Sequence, residues 1–232
     1  MPDYCVEEVS DHAMALILAC SRRIVQLNQA AKRRQWGLSP DGIEVQSRIS
    51  PYLSRLKTLG LFGLGKVARA LVPKARSFGL GIIAYDPYLP DGVKKQLGVE
   101  IVDWKHILKE SDFLSIHAAL TSETRQIFSI DAFREMKPTA CLINTSRGGL
   151  IDETALYQAL RDGFITMAAL DVTDPEPPET NNPLLNMDNV IITAHSAFFS
   201  PVSESERWQR PTGEVALVMN KKCPRDLVNP PG

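Results

Sequence analysis

The chain lacks the sequence features typical of secreted, metal-binding and nucleic-acid-binding proteins. Its 232 residues include only four cysteines, Cys5, Cys20, Cys141 and Cys223, which lie far apart and form no Cys-x-x-Cys pair. Neither a disulfide scaffold nor a metal site is indicated, and the cysteines are typical of reduced residues in an intracellular protein. The formal net charge is −1 and no basic block is longer than residues 32–34, which disfavours nucleic acid and anionic membranes as partners.

Long apolar runs and targeting signals are also missing. The longest apolar run, Ala13 to Cys20, is far too short to cross a bilayer. The first residues, MPDYCVEEVSDH, are acidic where a secretory signal would be basic. A cytoplasmic location is therefore expected, and the composition, 44% hydrophobic and 23% charged, is that of an ordinary globular domain.

From Lys57 onward, short apolar runs alternate with helix-like stretches. Continuous apolar strands separated by helices indicate a parallel sheet with both faces covered, so the sequence predicts a doubly wound α/β fold of the Rossmann type. Strands are predicted at 58–62, 80–85, 113–118, 140–145, 167–172 and 189–194, and helices at 65–78, 103–110, 131–136 and 152–162.

The two ends of the chain have other sequence patterns. Apolar residues at helical spacing from Val6 to Arg34, ending in a basic cluster, predict one long helix. The polar stretch 38–55 has no clear period and is interpreted as a loop or arm. Near the other end, Pro211 and Gly213 predict that the last helix is replaced by two shorter pieces or by a disordered link.

A glycine-rich turn follows the first predicted strand and opens a predicted helix. It reads Gly63-Leu64-Gly65-Lys66-Val67-Ala68, a G-x-G-x-x-A pattern whose glycines would let the backbone approach a pyrophosphate at the helix N-terminus. Asp86 ends the second strand at about the 20-residue spacing expected of a ribose-binding carboxylate, although it could simply start an Asp-Pro turn. No Arg or Lys follows it in DPYLP to receive a 2′-phosphate, so NAD is favoured over NADP.

Polar residues follow three later strands. Arg147 follows the strand ACLINT, the strand MAALDV ends in Asp171 and leads to Glu176, and His195 follows NVIITA. Singly, each has an ordinary explanation: a surface ion pair, a loop residue or a cap. Because ligands of open α/β sheets lie beyond the carboxyl ends of the strands, their joint occurrence beside the glycine turn predicts one site.

The other histidines are interpreted separately. His12 and His106 lie in helical stretches and are expected to be structural. His117 ends a strand and is a candidate for lining the cofactor pocket rather than for catalysis.

Taken together, GLGKVA, Asp86, INTSRGG, the segment ALDV followed by EP, and TAH resemble the NAD-dependent D-2-hydroxyacid dehydrogenases, from about Tyr4 to Asn229. AYDPYLP and HSAFFS favour the branch of phosphoglycerate dehydrogenase-like enzymes and C-terminal binding protein corepressors. The resemblance implies a catalytic set formed by Arg147, Glu176 and His195. The further cofactor contacts that it implies are Ala119, Thr124, Thr145, Ser146 and Asp171, the last holding the nicotinamide carboxamide.

The chemistry implied by the resemblance suits these side chains. His195 would protonate the keto oxygen during reduction and act as general base during oxidation, as histidine can near neutral pH. Glu176 would favour its charged form. Arg147 would bind the substrate carboxylate in the bidentate manner that lysine achieves poorly.

The resemblance also implies a domain organisation. Family members carry an N-terminal substrate domain, and Met1 stands almost directly before the residues that follow it, so most of that domain is expected to be absent. Residues 1–204 would form the NAD-binding domain with its N-terminal helix and dimerisation arm, and 205–232 a return segment of the substrate domain. A homodimer is expected, because related enzymes dimerise through the N-terminal helix and arm.

Three functions remain open from the sequence. The first is hydride transfer to or from a small 2-hydroxy or 2-keto acid, such as 3-phosphoglycerate or glyoxylate and hydroxypyruvate. The second is an NAD-binding corepressor-like regulatory protein. The third is a cofactor-binding domain impaired in catalysis. Metal, membrane and nucleic acid are not expected as partners.

Overall fold

The computed structural model describes residues 3–37, 57–89 and 98–224. A seven-stranded parallel sheet runs through it in the order β3-β2-β1-β4-β5-β6-β7. The strands are β1 (Thr58–Phe62), β2 (Gly81–Tyr85), β3 (Glu100–Ile101), β4 (Phe113–Ile116), β5 (Cys141–Asn144), β6 (Met167–Leu170) and β7 (Val190–Ile192). The helices are α1 (Val6–Arg22), α2 (Ile24–Lys32), α3 (Lys66–Ser77), α4 (Trp104–Glu110), α5 (Ile130–Glu135), α6 (Glu153–Asp162) and α7 (Pro201–Met219).

The sheet confirms the predicted doubly wound α/β fold. Every residue of β4, β5 and β6 is buried, because helices cover both faces of a parallel sheet, and this burial explains the continuous apolar runs. Strand β3 has only two residues and was not predicted, since so short a strand leaves no apolar run in the sequence.

Alternating side chains of each strand enter two cores on opposite faces of the sheet. Leu59 and Leu61 of β1 pack with Ile17 of α1 and Leu71 of α3 on one face. Leu114 and Ile116 of β4 pack on the other face with the helices α4, α5 and α6. Each fully buried aliphatic side chain contributes about 1.5–3 kcal/mol, so the two cores stabilise the strand order that determines the position of the site.

The prediction of one long helix over Val6 to Arg34 is wrong. The chain breaks at Arg23, whose φ of +52° is left-handed, and α2 begins as a separate helix at Ile24. The left-handed conformation costs about 1–2 kcal/mol. Tertiary hydrogen bonds offset it: Arg23 Nη2 donates to Thr166 Oγ1 at 3.0 Å, and Gln26 Nε2 donates to the Asp188 carbonyl at 2.7 Å.

The prediction that Pro211 and Gly213 split the last helix is also wrong, because α7 runs through both. Its start is fixed by a capping box in which the Ser200 hydroxyl accepts from the Ser203 amide at 3.0 Å. Past the proline, Thr212 Oγ1 donates to the Trp208 carbonyl, one turn earlier, at 2.8 Å.

Three further expectations bear on the chain as a whole. The predicted loop or arm, 38–55, lies outside the described residues, and the proposed division at residue 204 falls inside α7 and stays a prediction. Within the three described stretches, no helix combines the length and the hydrophobicity that a transmembrane span requires.

Candidate active site

A pocket of about 730 Å³ opens at the carboxyl ends of β1, β2 and β4. This is the crevice where open α/β sheets bind ligands. The described residues that line it include the sequence candidates Gly63, Gly65, Asp86, Ala119 and Thr124, together with His117, which the sequence also placed there.

The glycine turn between β1 and α3 has the geometry of a phosphate-binding turn. Gly63 has a φ of +88°, and a Cβ there would lie 2.8 Å from the Ala118 amide nitrogen. A Cβ at Gly65, the N-cap of α3, would meet no atom within 4 Å, so the backbone is open to a ligand. Gly65 has no side chain with which to cap α3, and the first N–H groups of the helix therefore remain for an anion.

Asp86 ties this turn to the end of β2. Its Oδ2 accepts from the Leu64 amide at 2.9 Å and its Oδ1 from the Tyr88 amide at 3.0 Å. Each carboxylate oxygen keeps a second lone pair with which to accept from a ribose hydroxyl. Among the described residues that line the pocket, the Asp and Glu side chains are Asp86 and Glu123 and none is Lys or Arg, an environment that suits NAD better than a 2′-phosphate.

The wall of the pocket opposite Asp86 is formed by the segment after β4. His117 Nε2 is 2.9 Å from Ser115 Oγ, and burial lowers the pKa of His117 to about 4, so the ring is neutral near pH 7. Thr124 Oγ1 donates to the Ala119 carbonyl at 2.7 Å and holds the turn at the rim.

Two hydroxyl residues follow β5. Ser146 Oγ donates to the Ala118 carbonyl at 2.6 Å and joins the ends of β5 and β4. Thr145 Oγ1 is buried and has no hydrogen-bond partner among the described residues. A buried hydroxyl rarely stays unpaired, so this atom fits a site that a bound cofactor completes.

Glu176 and His195 are in direct contact. Glu176 Oε2 lies 2.7 Å from His195 Nδ1, and Glu176 Oε1 accepts from the Thr173 amide at 3.1 Å. The carboxylate therefore fixes the ring orientation and leaves Nε2 for another partner. The pair is half exposed, with side-chain accessibilities of 37% for Glu176 and 46% for His195.

Arg147 lies at the end of the neighbouring strand β5. Asn144 fixes its turn, because Asn144 Nδ2 donates to the Arg147 carbonyl at 2.9 Å and Oδ1 accepts from the Ser146 amide at 3.0 Å. The guanidinium is exposed, and its Nη1 donates to the Ser146 carbonyl at 2.6 Å. Arg147, Glu176 and His195 all lie at the carboxyl edge of the sheet. Glu176 contacts His195, and none of its hydrogen bonds or ion pairs among the described residues is with Arg147.

Asp171 is buried and lies beneath the His195 loop. Its Oδ1 accepts from Thr193 Oγ1 at 2.5 Å and from the Ser196 amide at 2.9 Å, and its Oδ2 accepts from the Ala197 amide at 3.0 Å. These bonds show a role that the sequence did not indicate, which is to hold the loop that carries His195. They leave one lone pair on Oδ2 for the nicotinamide contact that the resemblance implies.

His12 also reaches this cluster from α1. Its Nε2 is 3.0 Å from Thr193 Oγ1 and 3.6 Å from Asp171 Oδ1. Sequence reasoning missed this contact, because the partners are 181 residues apart and histidine is common on helices. In the described stretches, no group of three His, Cys, Asp or Glu side chains could hold a metal ion.

Comparisons with known proteins agree with this geometry. Residues 14–197 match the model of the D-isomer specific 2-hydroxyacid dehydrogenase NAD-binding domain. The chain is 40% identical to a D-3-phosphoglycerate dehydrogenase of Methanocaldococcus jannaschii, over 97% of the chain and 40% of that relative. It is 35% identical to a glyoxylate reductase of Korarchaeum cryptofilum, over 98% of the chain and 68% of that relative.

A solved structure has the same fold. The TT0316 protein from Thermus thermophilus superposes with a TM-score of 0.88 at 30% identity, over 98% of this chain and 70% of that one. The chain thus spans between about two fifths and two thirds of the lengths of the two curated relatives. It belongs to the D-isomer specific 2-hydroxyacid dehydrogenases and carries their NAD-binding domain.

Proposed function

We propose that this chain catalyses NAD-dependent hydride transfer between the nicotinamide and a small 2-hydroxy or 2-keto acid. The observation that carries the proposal is the 2.7 Å contact between Glu176 and His195 Nδ1, at the strand ends that also form the dinucleotide pocket. A histidine whose second nitrogen is held by a carboxylate is suited to transfer protons near neutral pH.

Bound NAD supplies the hydride acceptor, and NADH the hydride donor. His195 Nε2 gives its proton to the keto oxygen during reduction, while Glu176 stabilises the imidazolium through Nδ1. In the oxidation direction, the neutral Nε2 accepts the hydroxyl proton. Arg147 binds the substrate carboxylate through its guanidinium fork and orients the carbonyl.

The remaining site residues hold the cofactor. The open backbone at Gly65 and the N-terminus of α3, with Lys66 and Val67, accommodate the pyrophosphate, and Asp86 accepts from the adenosine ribose. Thr145 and Ser146 contact the cofactor beside β5. Asp171 receives the nicotinamide carboxamide on the lone pair that its loop contacts leave on Oδ2.

The relatives suggest two substrates. One is 3-phosphoglycerate with its keto form, since a relative is named D-3-phosphoglycerate dehydrogenase; the other is glyoxylate or hydroxypyruvate, since another is named glyoxylate reductase. A second function, NAD binding with slow or no turnover, is favoured by the half-exposed Glu176–His195 pair. Water at an open pair weakens electrostatic catalysis, and such a protein would serve as a regulatory cofactor sensor.

A kinetic assay separates the two functions. We expect the chain to oxidise NADH with at least one of glyoxylate, hydroxypyruvate and phosphohydroxypyruvate. His195→Gln, which keeps an amide in place of Nε2, should lower kcat by about 10²–10⁴-fold, the usual contribution of a general acid. Arg147→Lys should lower kcat/KM at an unchanged melting temperature, because lysine keeps the charge and loses the fork.

A tryptophan-fluorescence titration with NADH accompanies the assay. Tight NADH binding without turnover on any of the three keto acids would reject the enzyme and favour the binding protein. Residual NADH oxidation that His195→Gln does not change would be assigned to a contaminating host enzyme.

We further infer that the chain forms a homodimer through the region around α2 and the arm that follows. Ile24 and Trp36 are large apolar side chains that are more than half exposed in this region. Large exposed aromatic side chains such as Trp36 are enriched at protein interfaces. A cytoplasmic location remains a prediction.

A further inference from the structure

A chain of polar contacts connects α1 to the loop that carries His195. It starts at His12 Nε2, passes through Thr193 Oγ1 at 3.0 Å and reaches Asp171 Oδ1 at a further 2.5 Å. Asp171 then accepts from the amides of Ser196 and Ala197, the two residues after His195. Elements far apart in sequence therefore meet beneath the proposed proton donor.

The donors and acceptors of this chain can be assigned. Asp171 is an acceptor when ionised, so the single hydroxyl proton of Thr193 points to Asp171 Oδ1. Thr193 Oγ1 can then only accept from His12, which requires a proton on His12 Nε2. The direction of the contacts is thus fixed from His12 through Thr193 to Asp171, and His12 supplies the donor that completes the hydroxyl.

The loop needs this support because its backbone is strained. His195 has a φ of +49°, in the left-handed region that costs a residue other than glycine about 1–2 kcal/mol. Its own amide donates to the Asp171 carbonyl at 2.8 Å. The main chain and the side chain of Asp171 together hold residues 195–197 in this conformation, which sets the direction of the imidazole toward Glu176.

We propose that His12 is a positioning residue, which fixes Asp171 through Thr193 and thereby holds His195 in the orientation required for proton transfer. The proposal rests on the role proposed above for His195. His12 touches neither the substrate nor the reacting atoms. It acts by keeping the Asp171 carboxylate aligned with the amides of Ser196 and Ala197.

Packing alone does not explain a histidine at this position. The face of α1 that packs on the sheet is made of apolar side chains, with Ala13, Ile17 and Cys20 fully buried. The side chain of His12 is 24% exposed, so it adds a donor at the edge of that face rather than apolar volume to the core. Its polar partners, Thr193 and Asp171, follow β7 and β6 at the carboxyl end of the sheet.

The test uses two variants that break the hydrogen-bond chain from His12 to Asp171 and one that keeps it. His12→Leu removes the donor at similar size, and Thr193→Val removes the hydroxyl at nearly equal volume. His12→Gln keeps an N–H donor at a reach similar to Nε2. Thr166→Val is the matched control, because it removes another 3.0 Å hydrogen bond between the α1–α2 region and the sheet, at the end of β6 opposite Asp171.

The first readout is hydrogen exchange at the amides of Ser196 and Ala197, which does not depend on turnover. We expect His12→Leu and Thr193→Val each to speed exchange at both amides about tenfold or more, the factor for weakening hydrogen bonds to a charged acceptor. His12→Gln should restore slow exchange, and Thr166→Val should leave it unchanged. Unchanged amides in His12→Leu, or equal effects in Thr166→Val, would overturn the proposal.

The second readout is steady-state kinetics of the whole chain. His12→Leu should lower kcat about tenfold or more while KM for NADH changes less than about threefold, and His12→Gln should recover most of kcat. The double variant with Thr193→Val should lose no more than the worse single one, because both cut the same chain. Additive losses of kcat in the double variant would overturn the proposal. If the protein shows no turnover but its amides exchange as expected, the positioning role of His12 is supported and only the enzymatic function is rejected.

Discussion

Two histidines at the carboxyl end of this sheet differ in what surrounds them. His195 is half exposed and paired with Glu176, whereas His117 contacts Ser115 beside the cofactor pocket. Desolvation makes the charged form of His117 unfavourable and lowers its pKa to about 4. His117 is therefore a neutral part of the pocket wall near pH 7, whereas His195 is the histidine for which we propose proton transfer.

The lowered pKa of His117 predicts a pH-dependent stability. Between about pH 6.5 and pH 4, the unfolded chain binds a proton at this histidine that the folded chain does not. The contribution of His117 is thus complete above about pH 6.5 and is lost as the pH falls toward 4. We expect the free energy of unfolding to drop by about 1–2 kcal/mol from this group between pH 7 and pH 5.

Urea unfolding of the wild type and of His117→Gln at the two pH values measures this contribution. Glutamine can keep a contact to Ser115 and does not titrate, so its loss of stability between pH 7 and pH 5 should be smaller by that amount. Identical pH dependence in the two proteins would show that His117 binds its proton equally well in the folded and the unfolded chain.

At the scale of elements, the two glycines of the turn between β1 and α3 meet different requirements, one of backbone conformation and one of open space. Gly63 is required by the fold, since its φ is +88° and a Cβ would clash with the Ala118 backbone. Gly65 has an ordinary φ of −70° and open space where its Cβ would lie. The first glycine therefore serves folding, and the second leaves open space where we propose that the pyrophosphate binds.

This separation predicts opposite results for two alanine substitutions. Gly63→Ala should destabilise the chain by at least about 1–2 kcal/mol in urea unfolding, because left-handed backbone is unfavourable for alanine. Gly65→Ala should change stability by less than about 0.5 kcal/mol and weaken NADH binding at least about tenfold in a fluorescence titration. Gly213→Ala, on the exposed helix α7, is the control that should leave NADH affinity unchanged, and normal affinity in Gly65→Ala would place the pyrophosphate elsewhere.

The elements also show which parts of the fold could be predicted from the sequence. Strands β4, β5 and β6 were predictable because burial on both faces requires a continuous apolar run. The break at Arg23 was not, because it depends on a hydrogen bond to Thr166, 143 residues away. The continuity of α7 through Pro211 could not be predicted from helix propensity, which favours a break at proline and glycine.

In the candidate site, too, some contacts could be predicted from the sequence and others could not. Glu176 and His195 could be brought together in advance because residues that end neighbouring parallel strands share an edge of the sheet. The contact of His12 with Thr193 could not, since it depends on how α1 is placed on the sheet. Sequence order thus predicts which groups reach the site, and tertiary packing determines which side chains hold them in place.

At the scale of the whole molecule, the described surface has exposed tryptophans at two separate places. Trp36 follows α2 and is 70% exposed, and Trp208 lies on α7 and is 67% exposed. Aromatic side chains of this size are common at the centres of protein interfaces. If the homodimer forms through the α2 region, only the first of these two surfaces is covered.

A matched pair of substitutions tests this prediction. We expect sedimentation velocity to give twice the mass of the chain, and Trp36→Glu to weaken the dimer by about 2 kcal/mol or more, because it buries a charge where an aromatic anchor was. Trp208→Glu has the same change at nearly the same exposure and should leave the dimer intact. If Trp208→Glu alone dissociates the dimer, the interface lies on α7, and a monomeric wild type would reject the dimer. NADH binding should persist in both variants, because neither residue is among those that line the cofactor pocket.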